Sequence, residues 1–374
     1  MSLATLAARG AIALGDGRFV VDTIEVDPPG PGEVRVRLAA AGLCHTDHQS
    51  LGWPGPLVMG HEGAGVIEAL GEGVEHLALG QRVLLNWAIP CGRCVRCAAG
   101  EGHLCDRTHG VDPSLGRSDA AEGGTRWLGR PIGRAFRLGT LSELTVVRAE
   151  ALTRIPAALP LHHACILGCG VMTGVGSVIH SAKVQPGDSV AVIGCGGVGL
   201  SVIQGARIAG VGRIVAVDRR AEGLERARAF GATDTVGVHE DDVELRQAAA
   251  AVRLLTGGRG VDHAFEATGV DRLAFAPLRF VRHGGTALQV SGTRGAASVD
   301  PVDFWWDKRY LVPLYGGCQP DRDFPQLARW ALDGRLDLQR MVTRRYGLDA
   351  LPQAMDDLLS GRNIKGVIEF GDVA

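Results

Sequence analysis

The chain reads as an α/β protein, with a doubly wound parallel-sheet domain joined to a β-rich domain that carries metal-ligand clusters. Three observations predict this. A strand–turn–helix–strand pattern spans Ser189 to Asp218, short β-rich runs punctuated by Gly and Pro fill the chain before Cys91, and most of the nine cysteines crowd at metal-ligand spacings. At 374 residues the chain is long enough for two domains, because single cores usually stop growing at about 250–300 residues.

Composition excludes several classes of partner. Charged residues make up 21% and the formal net charge is −2, which leaves no electrostatic footprint for nucleic acid or an acidic membrane. The N-terminal MSLATLAARGAIAL has no basic region before it and is interrupted by Arg9, and no run approaches the ~20 apolar residues of a span; a cytoplasmic protein is expected. An odd number of cysteines, most of them clustered, argues against a disulfide framework.

In chain order, ARGAIAL, RFVVDTIEV and EVRVRLAAAG are strand-like runs separated by Asp16-Gly17 and by Pro28 to Gly32. Chemistry begins in GLCHTDHQS, where Cys44, Thr46 and Asp47 follow a strand, and continues in MGHEGAGVIEALGEGV with His61 and Glu62. A soft thiolate and an imidazole at strand ends are good partial zinc ligands. Taken singly, Cys44 reads equally as a small core residue and His61 as a hydrogen-bonded structural histidine.

Cys91, Cys94, Cys97 and Cys105 form C-x2-C-x2-C-x7-C, four thiols that can close around one zinc with no open position. A closed site of this kind rigidifies a lobe rather than polarising a substrate. An iron–sulfur cluster competes for the same thiols. A nucleic-acid zinc ribbon is disfavoured, since the stretch offers only Arg93, Arg96 and Arg107 and no interleaved aromatics. From His109 to Leu138 the sequence is polar and Gly-rich, with Arg126, Trp127, Arg130, Arg134 and Arg137, and reads as a solvated loop. Cys169, in LGCGVMTG, precedes a helix leading into the parallel-sheet domain and is a candidate third ligand beside Cys44 and His61.

The strand SVAVI runs into Gly194-Cys195-Gly196-Gly197-Val198-Gly199, which fits G-x-G-x-x-G, the spacing that lets backbone approach a pyrophosphate. Val198, Val202, Ile203, Ala206 and Ala209 then recur at helical spacing, and the positive N-terminus of such a helix favours phosphate. The next strand ends in Asp218, 19 residues past Gly199, where a carboxylate can accept from a ribose 2′-hydroxyl; this favours NAD, although Arg219 and Arg220 follow and could partly offset the discrimination. GVDHAFEATG and HGGTALQVSG are expected as later strands, DFPQLARWALDGRLD and LDALPQAMDDLLSGR as amphipathic helices, and GVIEF as a closing strand. Cys165, Cys195 and Cys318 are left as structural residues. The expected domains are 1–170, β-rich and catalytic; 171–309, dinucleotide-binding; and 310–374, returning to the first.

From about Gly32 onward, CHTD, GHEGAGVIEALGEGV, the four-cysteine lobe, LGCGVMTGVGS, VIGCGGVG and VAVD together resemble the zinc-containing alcohol dehydrogenases of the medium-chain dehydrogenase/reductase superfamily. The resemblance implies a Rossmann domain plus a GroES-like catalytic domain, two zinc ions per chain and NAD. It assigns an open zinc to Cys44, His61 and Cys169, backed by the carboxylates of Asp47 and Glu62, and a structural zinc to Cys91, Cys94, Cys97 and Cys105. It further implies Thr46 on the substrate oxygen, Trp87 in the substrate pocket, His45 and Lys365 near the pyrophosphate, and Thr173 and Val198 beside the nicotinamide. The implied reaction interconverts a primary alcohol and its aldehyde; the length between Cys105 and Cys169 resembles that of homodimeric relatives. LLNWAIPCGRC, LGCGVMTG and GGCQPDRDFP also look like the thiol-dependent formaldehyde dehydrogenases, with Arg107, Arg134 and Arg137 as candidates for the anion-binding patch that such a substrate needs. A non-catalytic NAD-binding protein is disfavoured because all three catalytic ligands are present.

Two departures stand out. Cys44 and His61 are 17 positions apart, a shorter loop than many relatives have, which implies a more open entrance. Where many relatives have a relay histidine stands Gln49, with His48 one residue earlier.

Overall fold

The N-terminal β-rich runs form the strands Leu6–Ala13, Phe19–Val26 and Glu33–Gly42. The computed structural model describes residues 4–109 and 123–371. The chain divides into two compact units, residues 1–169 with 319–374, and residues 170–318. The return to the first unit was expected near residue 310 and falls at Gln319. The reason is local: Arg309–Leu311 pairs in parallel with Val281–Gln289 and so belongs to the second unit's sheet.

In the first unit, Glu33–Gly42 is the strand on which the rest converges. Val34, Val36, Leu38 and Ala40 are buried, and the strand pairs with Glu62–Leu70, Lys365–Glu369 and Leu144–Arg148. Its last residue, Gly42, lies opposite both Glu62 and Val367, so register alone brings the start of Glu62–Leu70 and the start of Lys365–Glu369 beside Cys44. A second sheet of six short strands includes Thr125–Trp127, Arg130–Pro131 and Gly133–Arg134.

Those three strands correct the expected solvated loop between His109 and Leu138, of which residues 110–122 lie outside the described residues. Ile132, Arg134, Ala135, Phe136 and Leu138 are buried. Across the sheet, Arg126 pairs with Glu25 and Asp27, and Trp127 Nε1 donates to Asp22 at 2.8 Å, while Arg130 stays exposed.

The second unit is one parallel sheet in the order Asp234–Gly237, Arg213–Asp218, Ser189–Ile193, Val261–Glu266, Val281–Gln289, Arg309–Leu311. Its central strands Ser189–Ile193 and Arg213–Asp218 are near-continuous apolar runs, as sheets covered on both faces require. Ile193, Val217, Val252, Phe280 and Ala287 form the core on one side. Strand order reverses between Ser189–Ile193 and Val261–Glu266, which is where doubly wound sheets open a crevice at their carboxyl ends.

At the opposite end of the same two strands, Asp262 ties the sheet together. Its Oδ2 accepts from Ser189 N at 2.8 Å and Ser189 Oγ at 2.6 Å, and its Oδ1 from Arg282 Nε at 2.6 Å. Burial opposes the charge, but Ser189 and Arg282 outweigh it and hold the carboxyl at about 2. A depressed folded-state pKa stabilises above the unfolded value of about 3.9 and loses that contribution as pH falls toward about 2. Asp262→Asn is therefore expected to lower the thermal midpoint at pH 7 and to leave it unchanged near pH 2; an equal deficit at both pH values would mean that charge is not what Asp262 contributes. No single helix among the described residues is long and apolar enough to cross a membrane.

Candidate active site and metal centres

Two groups of ligating atoms each gather within 4.8 Å: Cys91, Cys94, Cys97 and Cys105, and Cys44, His61, Glu62 and Cys169. Both belong to the first unit.

The four-cysteine group is built by short turns. Cys94 caps the one-turn helix Val95–Ala98, and its Sγ accepts from Cys97 N at 3.4 Å, while Cys91 N donates to Cys105 Sγ at 3.3 Å. Backbone N–H groups aimed at sulfur favour thiolate. Burial resists ionisation of Cys105, yet bonds from the Thr108 and Cys91 backbone bring it down to about 6; burial pushes Cys97 up to about 12. Four soft donors in this closed arrangement fit zinc.

The second group rests on Asp47. Cys44 caps the short helix His45–Gln49, and Asp47 accepts from Cys44 N at 2.9 Å with Oδ2 while its Oδ1 sits 2.9 Å from His61 Nδ1. With an acidic acceptor on Nδ1, the lone pair of His61 falls on Nε2. That Nε2 and Glu62 Oε2 are buried with no hydrogen-bond partner among the described residues. Two orphaned acceptors beside two thiols are a donor set that fits a cation of zinc's preference. The neighbouring Cys169 thiol first, and then His61 and Lys365, hold Cys44 well below its usual range against the cost of burial, while Cys169 is pushed up. Burial lowers His61, but Asp47 and next Cys44 raise it above its ordinary value; burial, opposed by Lys365, lifts Glu62 to about 7. Gly42 leaves room for this carboxylate: a Cβ there would sit 2.2 Å from Glu62 Oε2, so any other residue would displace the Glu62 carboxylate.

Lys365 is tied to the metal-site carboxylate: its ammonium donates to Glu62 Oε1 at 2.7 Å and to the Leu43 carbonyl at 2.8 Å, and the residue is buried. Thr46 is half-buried with Oγ1 3.7 Å from Cys44 Sγ, whereas His45 and His48 are exposed and Gln49 is half-buried.

Trp87 is buried, and its ring centroid lies 5.2 Å from that of Phe136. Phe136 in turn packs on His61 at 4.8 Å and on Trp53 at 5.4 Å. Sequence reading missed Trp53 and Phe136. The only local signal is that Phe136 lies beside a Gly-rich turn; its backbone is left-handed, with φ 52°, which places a bulky residue where glycine is usual. Trp53 comes from the short loop between Cys44 and His61, the wall expected to be open.

In the second unit, the helix Gly197–Ile208 follows Ser189–Ile193 through the predicted Gly-rich turn. A Cβ on Gly199 would lie 1.8 Å from Gly194 O, and Gly196 is exposed with nothing within 4 Å of a Cβ. This is a backbone cradle before a helix N-terminus, which fits a pyrophosphate. Asp218 closes the turn from below, accepting from Cys195 N at 2.7 Å and Arg220 N at 2.9 Å. A carboxylate with about four acceptor sites keeps room for ribose hydroxyls. Val198 and Thr173 are half-buried in this unit.

Comparison with known proteins agrees with both halves. Residues 30–157 match the family model described as alcohol dehydrogenase GroES-like domain, and residues 197–333 match that of zinc-binding dehydrogenase. An S-(hydroxymethyl)glutathione dehydrogenase of Escherichia coli is 35% identical, the match covering 97% of this chain and 100% of that protein. Among solved structures, an alcohol dehydrogenase zinc-binding domain protein from Burkholderia ambifaria superposes with a TM-score of 0.90 at 33% identity, and benzyl alcohol dehydrogenase from Acinetobacter calcoaceticus with 0.89 at 28%; each match covers 98% of this chain and 100% of the other. A chain with these two domains, these cysteine clusters and relatives of this identity over its whole length belongs to the zinc-containing alcohol dehydrogenase family of the medium-chain dehydrogenase/reductase superfamily.

Proposed function

We propose that the protein is an NAD-dependent dehydrogenase that interconverts an aromatic primary alcohol and its aldehyde. The observation that carries the substrate class is the ring cluster of Trp53, Trp87 and Phe136 packed on the metal-site residue His61. Flat aromatic faces at such distances favour another ring in offset or edge-on contact, and they exclude water from what they cover. Cys44, His61 and Cys169 would hold the catalytic zinc with Glu62 in reach, and the four-cysteine lobe would hold the second. When bound, zinc supplies Lewis acidity toward an alcohol or carbonyl oxygen, and the nicotinamide supplies the hydride chemistry.

The protein's own share is positioning and proton movement. Asp47 fixes His61 and the Cys44 turn together. Thr46 Oγ1, close to Cys44 Sγ, is placed to take the substrate hydroxyl's proton outward. Gln49 has no group that titrates near neutral pH, and exposed His48 points to a route through water. Thr46→Ala is expected to lower kcat about a hundredfold and His48→Ala less than about tenfold. A hundredfold loss in His48→Ala, rescued by imidazole, would make His48 the relay base.

A second reading, oxidation of a thiol adduct of formaldehyde, draws support from the name of the Escherichia coli relative. Against it, of the three arginines considered for an anion-binding patch, Arg134 is buried and Arg137 donates to the Thr108 carbonyl at 3.0 Å. The deciding experiment is an NAD-reduction screen over benzylic, aliphatic and secondary alcohols, with formaldehyde plus thiols in parallel. Benzylic alcohols with NAD should lead, NADP should serve at least about tenfold less well because Asp218 faces its 2′-phosphate, and Phe136→Ala should erase most of the benzylic preference. Activity confined to the thiol arm would reject the aromatic-alcohol reading. We also take the enzyme to be a homodimer, supported by the exposed Trp305, Trp306 and Val312 around the sheet-edge strand Arg309–Leu311; light scattering should give about twice 39.3 kDa.

A further inference from the structure

Glu266 is a fully buried carboxylate that none of the chemistry above uses. It ends Val261–Glu266, the strand beside Ser189–Ile193 at the point where strand order reverses. Burying a carboxylate is costly unless every lone pair is met, and here four donors meet it. Its Oε1 accepts from Thr268 N at 2.6 Å, from Gly269 N at 3.2 Å and from Thr268 Oγ1, while its Oε2 accepts from Ser291 Oγ. One side chain thus binds the loop after its own strand to the loop after Val281–Gln289.

The first of these loops is what the Gly-rich turn leans on. Ala267 N donates to Ile193 O at 2.8 Å, immediately before the turn. A Cβ on Gly194 would lie 2.8 Å from Thr268 Cγ2 and 3.1 Å from both Ala267 C and Thr268 N. The turn therefore keeps its shape against a backbone segment whose own position depends on the Glu266 carboxylate. An apolar residue has no acceptor and could hold neither loop, so the clamp needs a side chain that offers polar atoms to both loops.

We propose that Glu266 is a positioning residue for the dinucleotide: by fixing Thr268, Gly269 and Ser291 it holds the crevice at the strand switch point, and the Gly194 turn within it, in the shape that binds. The inference rests on the dinucleotide reading given under Proposed function. Its role is indirect, since its oxygens are turned to the loops and not to solvent.

The test is titration of the full-length protein with NADH, followed by nucleotide fluorescence, with zinc content and thermal midpoint measured on each variant. Glu266→Ala is expected to raise Kd for NADH at least about tenfold, to raise KM for NAD in parallel, and to leave kcat at saturating NAD within about threefold. Glu266→Gln can still accept from the Thr268 and Gly269 N–H groups and let Ser291 reverse its bond, so it should restore Kd to within about threefold of wild type. A folded Glu266→Ala protein with wild-type Kd would overturn the proposal, as would a Gln variant no better than Ala. If the Ala variant does not fold, Ser291→Ala carries the test, with an expected weakening of about fivefold and an unchanged Kd counting against the clamp. Wild-type protein that fails to bind NADH would instead remove the dinucleotide reading itself.

Discussion

Cys169→Ser is expected to abolish alcohol oxidation, by at least about 10³-fold, and to lower the zinc content from two per chain to one while the fold remains. The magnitude follows from what the metal supplies: Lewis-acid stabilisation worth several kcal/mol, at about tenfold in rate per 1.36 kcal/mol. A serine hydroxyl is a hard, protonated donor and a poor substitute for a thiolate on zinc. Cys169 is partly exposed, so the change opens no core cavity, and its partners Cys44, His61 and Glu62 keep their anchoring to Asp47 and Lys365. The four-cysteine lobe shares no residue with this site. Elemental analysis of wild type and variant decides the matter. One zinc per wild-type chain, or two in the Ser variant, would refute the ligand assignment.

Lys365→Met should cost about 3–5 kcal/mol of stability, the range for removing one partner of a buried ion pair. Glu62 is fully buried, and Lys365 Nζ is 2.7 Å from its Oε1. Loss of the ammonium leaves a carboxylate without its countercharge and the Leu43 carbonyl without a donor. Adding Glu62→Gln to Lys365→Met should recover most of the loss, because then neither charge remains to be desolvated. Denaturant midpoints of the zinc-loaded proteins are the measurement. A Lys365→Met midpoint equal to that of wild type would show that the Glu62–Lys365 pair does not stabilise the fold.

Much of this protein was legible because the relevant information is local. The C-x2-C-x2-C-x7-C spacing specifies a loop that closes on itself, and the Gly194–Gly199 turn specifies a cradle whose steric need is met within six residues. The strand-like runs ARGAIAL, RFVVDTIEV and EVRVRLAAAG, bounded by turn residues, likewise became the strands Leu6–Ala13, Phe19–Val26 and Glu33–Gly42. The solvated-loop reading of the stretch before Leu138 failed for the converse reason. Arg126 looked exposed because its acidic partners, Glu25 and Asp27, lie about a hundred residues earlier, on a neighbouring strand.

By itself, then, the sequence determined the two-domain α/β class, the zinc ligand candidates and the Gly-rich turn, all of them carried by short-range spacing. Only the tertiary structure decided which distant side chains complete these local pieces. Register across Gly42 brought Lys365 to Glu62 over 303 positions. A left-handed backbone at Phe136 turned it toward His61, where it meets Trp53 and Trp87, and the strand switch point gave Glu266 its donors. Each of these depends on the pairing of strands far apart in the chain, and no window of sequence contains that pairing.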